Sequence, residues 1–191
     1  MEISSFITLG IVAAALVYTT VIYNNLVSVK HNVSKAWSNI DVLLKQRHDE
    51  LPKLIEVCKE YMGYEKDTME RIIKARSAVA TARERSDVNA LGAAESELRL
   101  GLGNLFALAE SYPDLKADQS FQHLQSRITG LEDAIADRRE FYNEAGNINN
   151  VRIEQFPDVI VARFFNFKEA ELLEFSEEEK VDVDVRALFS Q

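Results

Sequence analysis

The feature that most constrains this chain is a run from Ile3 to Val29 without a charged residue. Its central part, residues 6–23, is apolar apart from three threonines and one glycine. A bilayer core of about 30 Å is spanned by about 20 helical residues, so the run is long enough to cross a membrane. We predict a transmembrane helix over residues 6–26, preceded by a short external N-terminus at 1–5. The predicted anchor residues are Phe6, Ile7, Leu9, Ile11, Val12, Leu16, Val17, Val21, Ile22 and Tyr23.

Two other interpretations of this run are weaker. A helix in the core of so small a protein is rarely apolar on every side. A cleaved signal peptide has a basic start and a small-residue cleavage site after a shorter apolar core. Here the start carries Glu2 and no basic side chain, and Ala13 to Ala15 lie in the middle of the run. The pattern favours an uncleaved anchor.

Basic residues flank the anchor on one side only. Lys30 and Lys35 follow it closely, whereas the preceding segment has no lysine or arginine. Because basic residues near a span stay on the cytoplasmic side, this asymmetry predicts an N-terminus outside and a cytoplasmic bulk of the chain.

Helical periodicity continues beyond the anchor, with apolar residues at alternating spacings of three and four. Arg47 and Glu50 interrupt this apolar stripe. Pro52 removes one backbone hydrogen bond, so we expect a kink or break near residues 48–52. Gly63 is a second weak point. The expected inward residues of this first helix are Leu26, Val29, Val33, Ala36, Ile40, Leu43, Leu54, Val57 and Tyr61.

Further helices are predicted over residues 64–85 and 87–111, then from a cap at Asp118 or Ser120 to Gln155, followed by a short apolar helix at 159–167. Ser86 and Asp87 form the first turn signal, and Asp118 or Ser120 caps the last long helix. The expected inward residues include Met69, Ile72, Ile73, Val79, Leu91, Leu98, Leu102, Leu105, Phe106, Phe121, Leu124, Ile128, Phe141 and Tyr142.

These segments predict an all-α fold. The N-terminal transmembrane helix is followed by an elongated antiparallel bundle of three to four long helices, over residues 27–167. Residues 168–191 form an acidic tail, where the alternation at 181–185 is typical of a short extended segment.

The charge distribution limits the partners. The formal net charge is −9, and the stretch from Glu169 to Asp184 holds eight carboxylates against one lysine. An overall negative field argues against nucleic acid or an anionic lipid surface as the main partner. The single cysteine, Cys58, excludes an intrachain disulfide.

No motif predicts a catalytic, cofactor or metal site. The three histidines have no partners at zinc-ligand spacing. The glycines Gly101 and Gly103 lie in an apolar helical stripe, where close helix packing explains them better than a phosphate loop does. Cys58 is predicted to be a buried, inert thiol. We expect no enzymatic activity and no cofactor.

Several motifs resemble those of the LemA family of bacterial membrane proteins. They cover roughly residues 23–167 and include Tyr23-Asn24-Asn25-Leu26-Val27, Ala36-Trp37-Ser38-Asn39-Ile40-Asp41, Arg47-His48-Asp49-Glu50-Leu51-Pro52-Lys53-Leu54, Glu110-Ser111-Tyr112-Pro113-Asp114-Leu115-Lys116-Ala117, Arg138-Arg139-Glu140-Phe141-Tyr142-Asn143 and Phe156-Pro157. The resemblance suggests packing roles for Trp37, Pro52, Tyr112, Pro113, Asp114, Arg139, Asn143, Phe156 and Pro157.

The sequence departs from the family pattern at three places. Asp133 replaces an asparagine, Asn149-Asn150 replaces a Tyr-Asn pair, and Asn166 replaces the glycine of a closing Phe-Gly-Phe. The resemblance implies an anchor in the bacterial plasma membrane, a long cytoplasmic helical domain and no catalytic residues. The family also includes a protein of magnetosome membranes, which suggests a role in organising membranes.

Two functions are compatible with this sequence. The first is a membrane-anchored structural scaffold that forms homo-oligomers through its apolar helical stripes. The second is an adaptor that docks another membrane protein, such as a protease or transporter, through the acidic tail or the Val159–Phe167 segment. An enzyme is a third and weaker alternative.

Overall fold

A computed structural model describes residues 2–174. The predicted all-α fold is confirmed over these residues, which form helices and turns and no strand. The extended segment predicted at 181–185 lies outside the described residues, as does most of the acidic tail. The helices are α1 (Glu2–Tyr61), α2 (Lys66–Arg85), α3 (Val88–Ala109), α4 (Pro113–Ala117), α5 (Gln119–Glu154) and α6 (Asp158–Phe164).

The chain divides into two compact units. We call Met1–Asn39 with Arg138–Leu172 the anchor unit, and Ile40–Asp137 with Leu173–Gln191 the bundle unit.

The described part of the bundle unit packs helices that alternate in direction. Asp41 of α1 pairs with Arg83 of α2 at 3.2 Å, and His48, further along α1, bonds to Arg76, which comes earlier in α2. These two helices are therefore antiparallel. The short connections before α3 and α5 reverse the chain again. The interior of this unit contains Ile40, Leu44, Leu51, Leu54, Ile72, Leu91, Leu98, Leu102, Leu105, Leu115, Phe121 and Ile128.

Helix α1 does not break near residues 48–52, so the expected break was wrong. Pro52 lies inside the helix, and its missing N–H leaves the carbonyl of His48 without its usual helical donor. The guanidinium of Arg76 supplies a replacement, because its Nε donates to that carbonyl at 3.0 Å. A tertiary hydrogen bond therefore compensates for the proline, and the helix continues to Tyr61.

The buried stripe of α1 shifts by one residue along its length. Cys58 and Met62 are fully buried, whereas Tyr61 is exposed and Val57 is only half-buried. A repeat of alternating three and four residues assumes 3.5 residues per turn, whereas a straight α-helix has about 3.6. The predicted stripe therefore rotates away from the buried face by about 20° per heptad, and after five heptads the error amounts to about one residue. Two other inward predictions were wrong, since Ile73 and Phe141 are also exposed.

The predicted turns are confirmed by their caps. Ser86 has a left-handed backbone (φ 53°), and the carboxylate of Asp87 accepts from the N–H of Ala90 at 2.9 Å. Asp118 caps α5 in the same way, accepting from the N–H of Phe121 at 2.9 Å. Side chains with local acceptors thus begin both long helices, as their sequence positions indicate.

The anchor unit has a small core of its own. Ile22 and Leu26 of α1 pack with Ile153 of α5 and with Val161 and Ala162 of α6. This core forms because α1 and α5 run antiparallel here and α6 folds back against the end of the apolar run.

Helix α6 is shorter than predicted at its C-terminal end. Asn166 adopts a left-handed conformation (φ 55°), which ends the helix. The N–H of Phe167 then donates to the carbonyl of Ala162 at 2.9 Å. Asparagine tolerates this conformation better than most residues, so Asn166 can occupy the glycine position of the family motif.

Candidate functional site

The predicted anchor residues are exposed, with one exception. Within the described residues, the large apolar side chains from Phe6 to Val21 are half exposed or more, and the N-terminal part of α1 is long and apolar enough to cross a membrane. Ile22 is the exception, since it is buried in the core of the anchor unit. A helix that leaves apolar side chains uncovered on all sides is unstable in water and suits a lipid environment.

Aromatic rings gather where the apolar run ends. The ring of Tyr23 lies with its centroid 4.7 Å from that of Phe165 and 5.9 Å from that of Phe167. Phe164 in turn stacks edge-on against Phe165 at 5.0 Å. These four residues form what we call the aromatic collar. Tyrosine rings favour the boundary between water and lipid, and phenylalanine is common on the apolar face of helices that lie there, so the collar is a candidate membrane interface.

The outward side of α6 is also apolar. Phe164 is 81% exposed, and Phe156 and Ile160 are 76% and 61% exposed. Ile160 and Phe164 lie four positions apart on α6, and Phe156 lies two residues before the helix begins. Val161 and Ala162 face the core. Helix α6 therefore has one apolar side against α1 and a second with no cover within the described residues.

The chain after α6 is held in place by two asparagines of α5. The side chain of Asn150 accepts from the N–H of Ala170 at 2.7 Å and donates to its carbonyl at 3.0 Å. The amide of Asn149 donates to the carbonyl of Lys168 at 3.1 Å. Because these bonds fix the residues after the aromatic collar, they also limit the movement of the collar itself.

The same segment is fixed at its far end. The hydroxyl of Tyr142 donates to the carbonyl of Glu171 at 2.7 Å, and burial raises the pKa of that tyrosine. Gly146 allows close approach, since a Cβ there would lie only 2.6 Å from the Leu172 Cδ2 atom. Asn149, which replaces a tyrosine of the family pattern, adds a further bond to this segment through the carbonyl of Lys168.

Two clefts border the aromatic collar. One, of about 400 Å³, is lined by Tyr23, Lys30 and His31 of α1 and by Phe165 and Phe167. The second, of about 620 Å³, is lined by residues that include Ile153, Val159, Arg163 and Lys168. Cationic side chains therefore lie next to aromatic ones at the end of the apolar run.

The bundle unit contains a buried charge cluster. Arg47 is 1% exposed and forms ion pairs with Glu95 of α3 and Glu132 of α5. Burial acts to lower the pKa of Arg47, but the two carboxylates outweigh it and raise that pKa above its ordinary value. Glu50, one turn further along α1, pairs with Arg127 at 3.1 Å. These bonds join three helices and set their register.

This cluster was not predicted, although the sequence carries a signal for it. Arg47 and Glu50 interrupt an apolar stripe, which in a buried face indicates paired charges. Glu95 lies between Leu91 and Leu98 at the same helical spacing. A charged residue in phase with buried leucines on two helices would have indicated the pairing.

The family-motif residues of the anchor unit have different environments. Trp37 is half-buried with its ring centroid 5.5 Å from that of Tyr142, and Arg139 is buried. Asn143 and Pro157 are half-buried, and Pro157 immediately precedes α6. Phe156 does not pack as we expected, because it is mostly exposed beside α6.

Three of the four family-motif residues of the bundle unit lie where α4 begins, and the fourth lies inside α1. The Tyr112 hydroxyl donates to the carboxylate of Glu65 at 3.3 Å, and Pro113 occupies the first position of α4. Asp114 lies in the first turn of that helix, where a carboxylate favours the helix dipole. Pro52 is exposed on α1. These residues shape the backbone rather than a chemical site.

The described residues offer little reactive chemistry. Within residues 2–174, no group of three or more histidine, cysteine or acidic residues is placed to hold a metal ion. Cys58 is buried as predicted, and burial raises the pKa of its thiol to about 11, which keeps it protonated at neutral pH. Gly101 packs closely against Ile72, whereas Gly103 has open space around it.

The described residues combine an exposed apolar helix, an aromatic collar and a helical bundle whose helices are joined by buried ion pairs. These are features of a membrane-associated helical protein. The family within this class follows from a comparison with known families, in which the LemA family model matches residues 36–186. The chain belongs to the LemA family.

Two kinds of relative support this assignment. Protein LemA of Metamycoplasma hominis is 28% identical over 86% of this chain and 74% of that protein. Magnetosome protein MamQ 2 of Paramagnetospirillum magneticum and Magnetosome protein MamQ of Magnetospirillum gryphiswaldense are each 23% identical over 78% of this chain. The chain spans 63% of the length of these MamQ relatives. None of these relatives is named as an enzyme.

Proposed function

We propose that this protein is a non-enzymatic scaffold of the bacterial plasma membrane. Its N-terminus lies outside, its bulk is cytoplasmic, and copies of the chain associate with one another and organise the membrane or proteins bound to it. The exposed anchor supports the membrane location, and the names of the MamQ relatives agree with a membrane setting. The LemA family supplies no activity that would require a catalytic site.

One observation carries the self-association. Phe141, Ile148 and Val151 of α5 are all about half exposed or more, although each is large and apolar. Their spacings of seven and three place them on one side of the helix, as in helices that pair. Arg138 lies over the Phe141 ring at 5.7 Å and covers only part of it. We call these three residues the α5 stripe.

The membrane makes a second copy the best occupant of the α5 stripe. Anchored chains share one orientation and are confined to a thin layer, which raises their effective concentration. Two parallel copies place the same α5 residues opposite each other, so the stripe complements itself around a two-fold axis.

Cysteine crosslinking in membranes tests this pairing. In a Cys58→Ala background, Ile148→Cys should form an oxidised dimer because residue 148 faces its own copy. Asn147→Cys is the matched control, since residue 147 is exposed on a different side of α5 and should crosslink far less. Equal crosslinking of the two variants, or none in either, would contradict the pairing.

The same variants test orientation and separate the adaptor alternative. A membrane-impermeant thiol reagent should label Ile148→Cys in inverted vesicles but not in intact cells. If Ile148→Cys gives no dimer but crosslinks reproducibly to one other membrane protein, the scaffold proposal fails and an adaptor is the better description.

A further inference from the structure

We infer that α6 and the residues around it form a second membrane contact, in which Phe156, Ile160, Phe164 and Phe165 insert into the lipid interface beside the anchor. This contact makes the protein bind the bilayer through a transmembrane helix and a surface helix together. The inference rests on the anchoring part of the proposed function and is independent of self-association.

Packing within the anchor unit determines the depth of α6. Val161 and Ala162 lie against Ile22 and Leu26, and Phe165 contacts the ring of Tyr23. Ile22 to Leu26 is about one helical turn, or about 6 Å, at the end of the predicted span. Helix α6 is therefore held at the level where the anchor leaves the hydrocarbon core.

The outward residues suit that level. Phe164, Phe156 and Ile160 are between 61% and 81% exposed, and Phe165 is half exposed. Exposed apolar residues grouped in this way are costly in water. Two ring contacts connect the group to the end of the anchor, because Phe164 contacts Phe165 and Phe165 contacts Tyr23. Interfacial helices bury a face of this kind about 5–10 Å into the boundary between headgroups and acyl chains.

The surrounding charges are those of an interfacial helix. Lys30, Arg163 and Lys168 are exposed next to the aromatic collar, at the level expected for lipid phosphates. Glu154 and Glu169 are also exposed nearby, and Arg152 is engaged with Asp158 at 2.7 Å. With acids and bases nearly balanced, apolar burial rather than net charge drives this contact. Insertion should therefore depend little on salt or on anionic lipid.

Tryptophan fluorescence in brominated lipid tests the inference on the full chain. The only native tryptophan is first removed by Trp37→Phe, and Phe164→Trp or Ile160→Trp is then added, each at an exposed position that tolerates a larger ring. The proteins are reconstituted in phosphatidylcholine vesicles. Both probes should show blue-shifted emission and lose more intensity to lipid brominated near the glycerol end of the chain than near the methyl end.

Two control probes serve as references for the quenching, one inside the bilayer and one in water. Leu16→Trp, in the middle of the anchor, should be quenched most by lipid brominated near the methyl end. Phe141→Trp should not be quenched, because it lies 12 residues along α5 from Ile153, or about 18 Å.

Each other outcome overturns the inference. Unshifted, unquenched emission from Phe164→Trp and Ile160→Trp means that α6 faces water. Blue-shifted emission without quenching means that protein, either a second copy or another chain, covers it. If Leu16→Trp is quenched in these cases, anchoring stands and only the surface contact fails. If Leu16→Trp itself is not quenched, the anchoring proposal fails as well.

Discussion

The two units of this protein depart from the usual arrangement of residues in opposite ways. The bundle unit buries charged groups, with Arg47 enclosed between Glu95 and Glu132. The anchor unit exposes apolar ones, from the anchor itself to Phe164 on α6. Buried paired charges determine which helices meet and in what register, whereas exposed apolar side chains need a partner outside the unit. The contacts that determine the packing of the bundle unit therefore lie inside it. The anchor unit, in contrast, needs contacts with its surroundings to cover its apolar side chains.

The difference is also one of scale. The core of the anchor unit consists of a few side chains around Leu26, whereas buried leucines and isoleucines line every long helix of the bundle unit. A small core buries less apolar area and stabilises less. Under the proposed function, insertion of the anchor into lipid would supply the burial that the anchor unit lacks.

Removing the central charge of the bundle unit should have the largest effect on stability. Arg47→Met leaves Glu95 and Glu132 without their shared cation, and an uncompensated buried charge costs about 3–5 kcal/mol. We expect the free energy of unfolding to fall by this amount in a denaturant titration of the detergent-solubilised chain, followed by circular dichroism.

Lys53→Ala is the matched control for this charge. Its ammonium pairs with Glu50 at 3.1 Å but is 60% exposed. Exposed pairs contribute less than about 1 kcal/mol, so the two substitutions should differ clearly. A similar small loss for both would show that the cluster is not what determines the stability of the bundle unit.

Within the anchor unit, substitutions inside and outside the small core should separate stability from membrane contact. Leu26→Ala removes a fully buried side chain and should cost about 2–5 kcal/mol in detergent. Phe164→Ala removes an exposed one and should change the free energy of unfolding by less than about 0.5 kcal/mol. Thermal denaturation of the two variants side by side checks this. A large loss from Phe164→Ala would mean that α6 contributes to the core rather than to an outer surface.

The proline in α1 offers a finer test of the bundle unit. Arg76→Met leaves the His48 carbonyl without a donor and should cost about 1–3 kcal/mol. In a Pro52→Ala background the N–H of residue 52 can donate to that carbonyl, so the same substitution should cost less. A double-mutant cycle measures this coupling directly. Additive costs would show that Arg76 does not compensate for the proline.

The smallest expected effect is a pH dependence in the bundle unit. Burial, followed by the charge of Arg76, lowers the pKa of His48 below its ordinary value of 6.5. The folded state then binds this proton less readily than the unfolded state, so stability declines as pH falls below about 6.5 and levels off below the folded pKa. Melting temperatures between pH 5 and pH 8 should show a slope that His48→Gln reduces. An unchanged slope in His48→Gln would assign the pH dependence to other groups.

Local sequence patterns predicted much of the fold correctly. Asp87 and Asp118 begin helices as cap residues do, and Pro157 separates α5 from α6. These predictions succeeded because caps and prolines act on backbone groups within a few residues. The phase of the α1 stripe near Cys58 was wrong because a small error in helical period accumulates over a long helix.

The candidate site was less predictable. The anchor residues were recognisable from composition, but Ile22 lies in a core that depends on the return of α6. The exposure of Phe156 and Phe164 was not predictable either, because an apolar residue gives no sign of which neighbour covers it. In the same way, the helix through Pro52 survives because of Arg76, which is distant in sequence.

The sequence by itself determined that this chain is helical and that it begins with a stretch able to span a membrane. Both follow from hydropathy and backbone preferences that act over short distances. Only the tertiary structure decided that Arg47 is shared by two carboxylates and that α6 lies against the end of the anchor. Those contacts join residues that are far apart along the chain, and they stabilise the fold only after the helices have packed against one another.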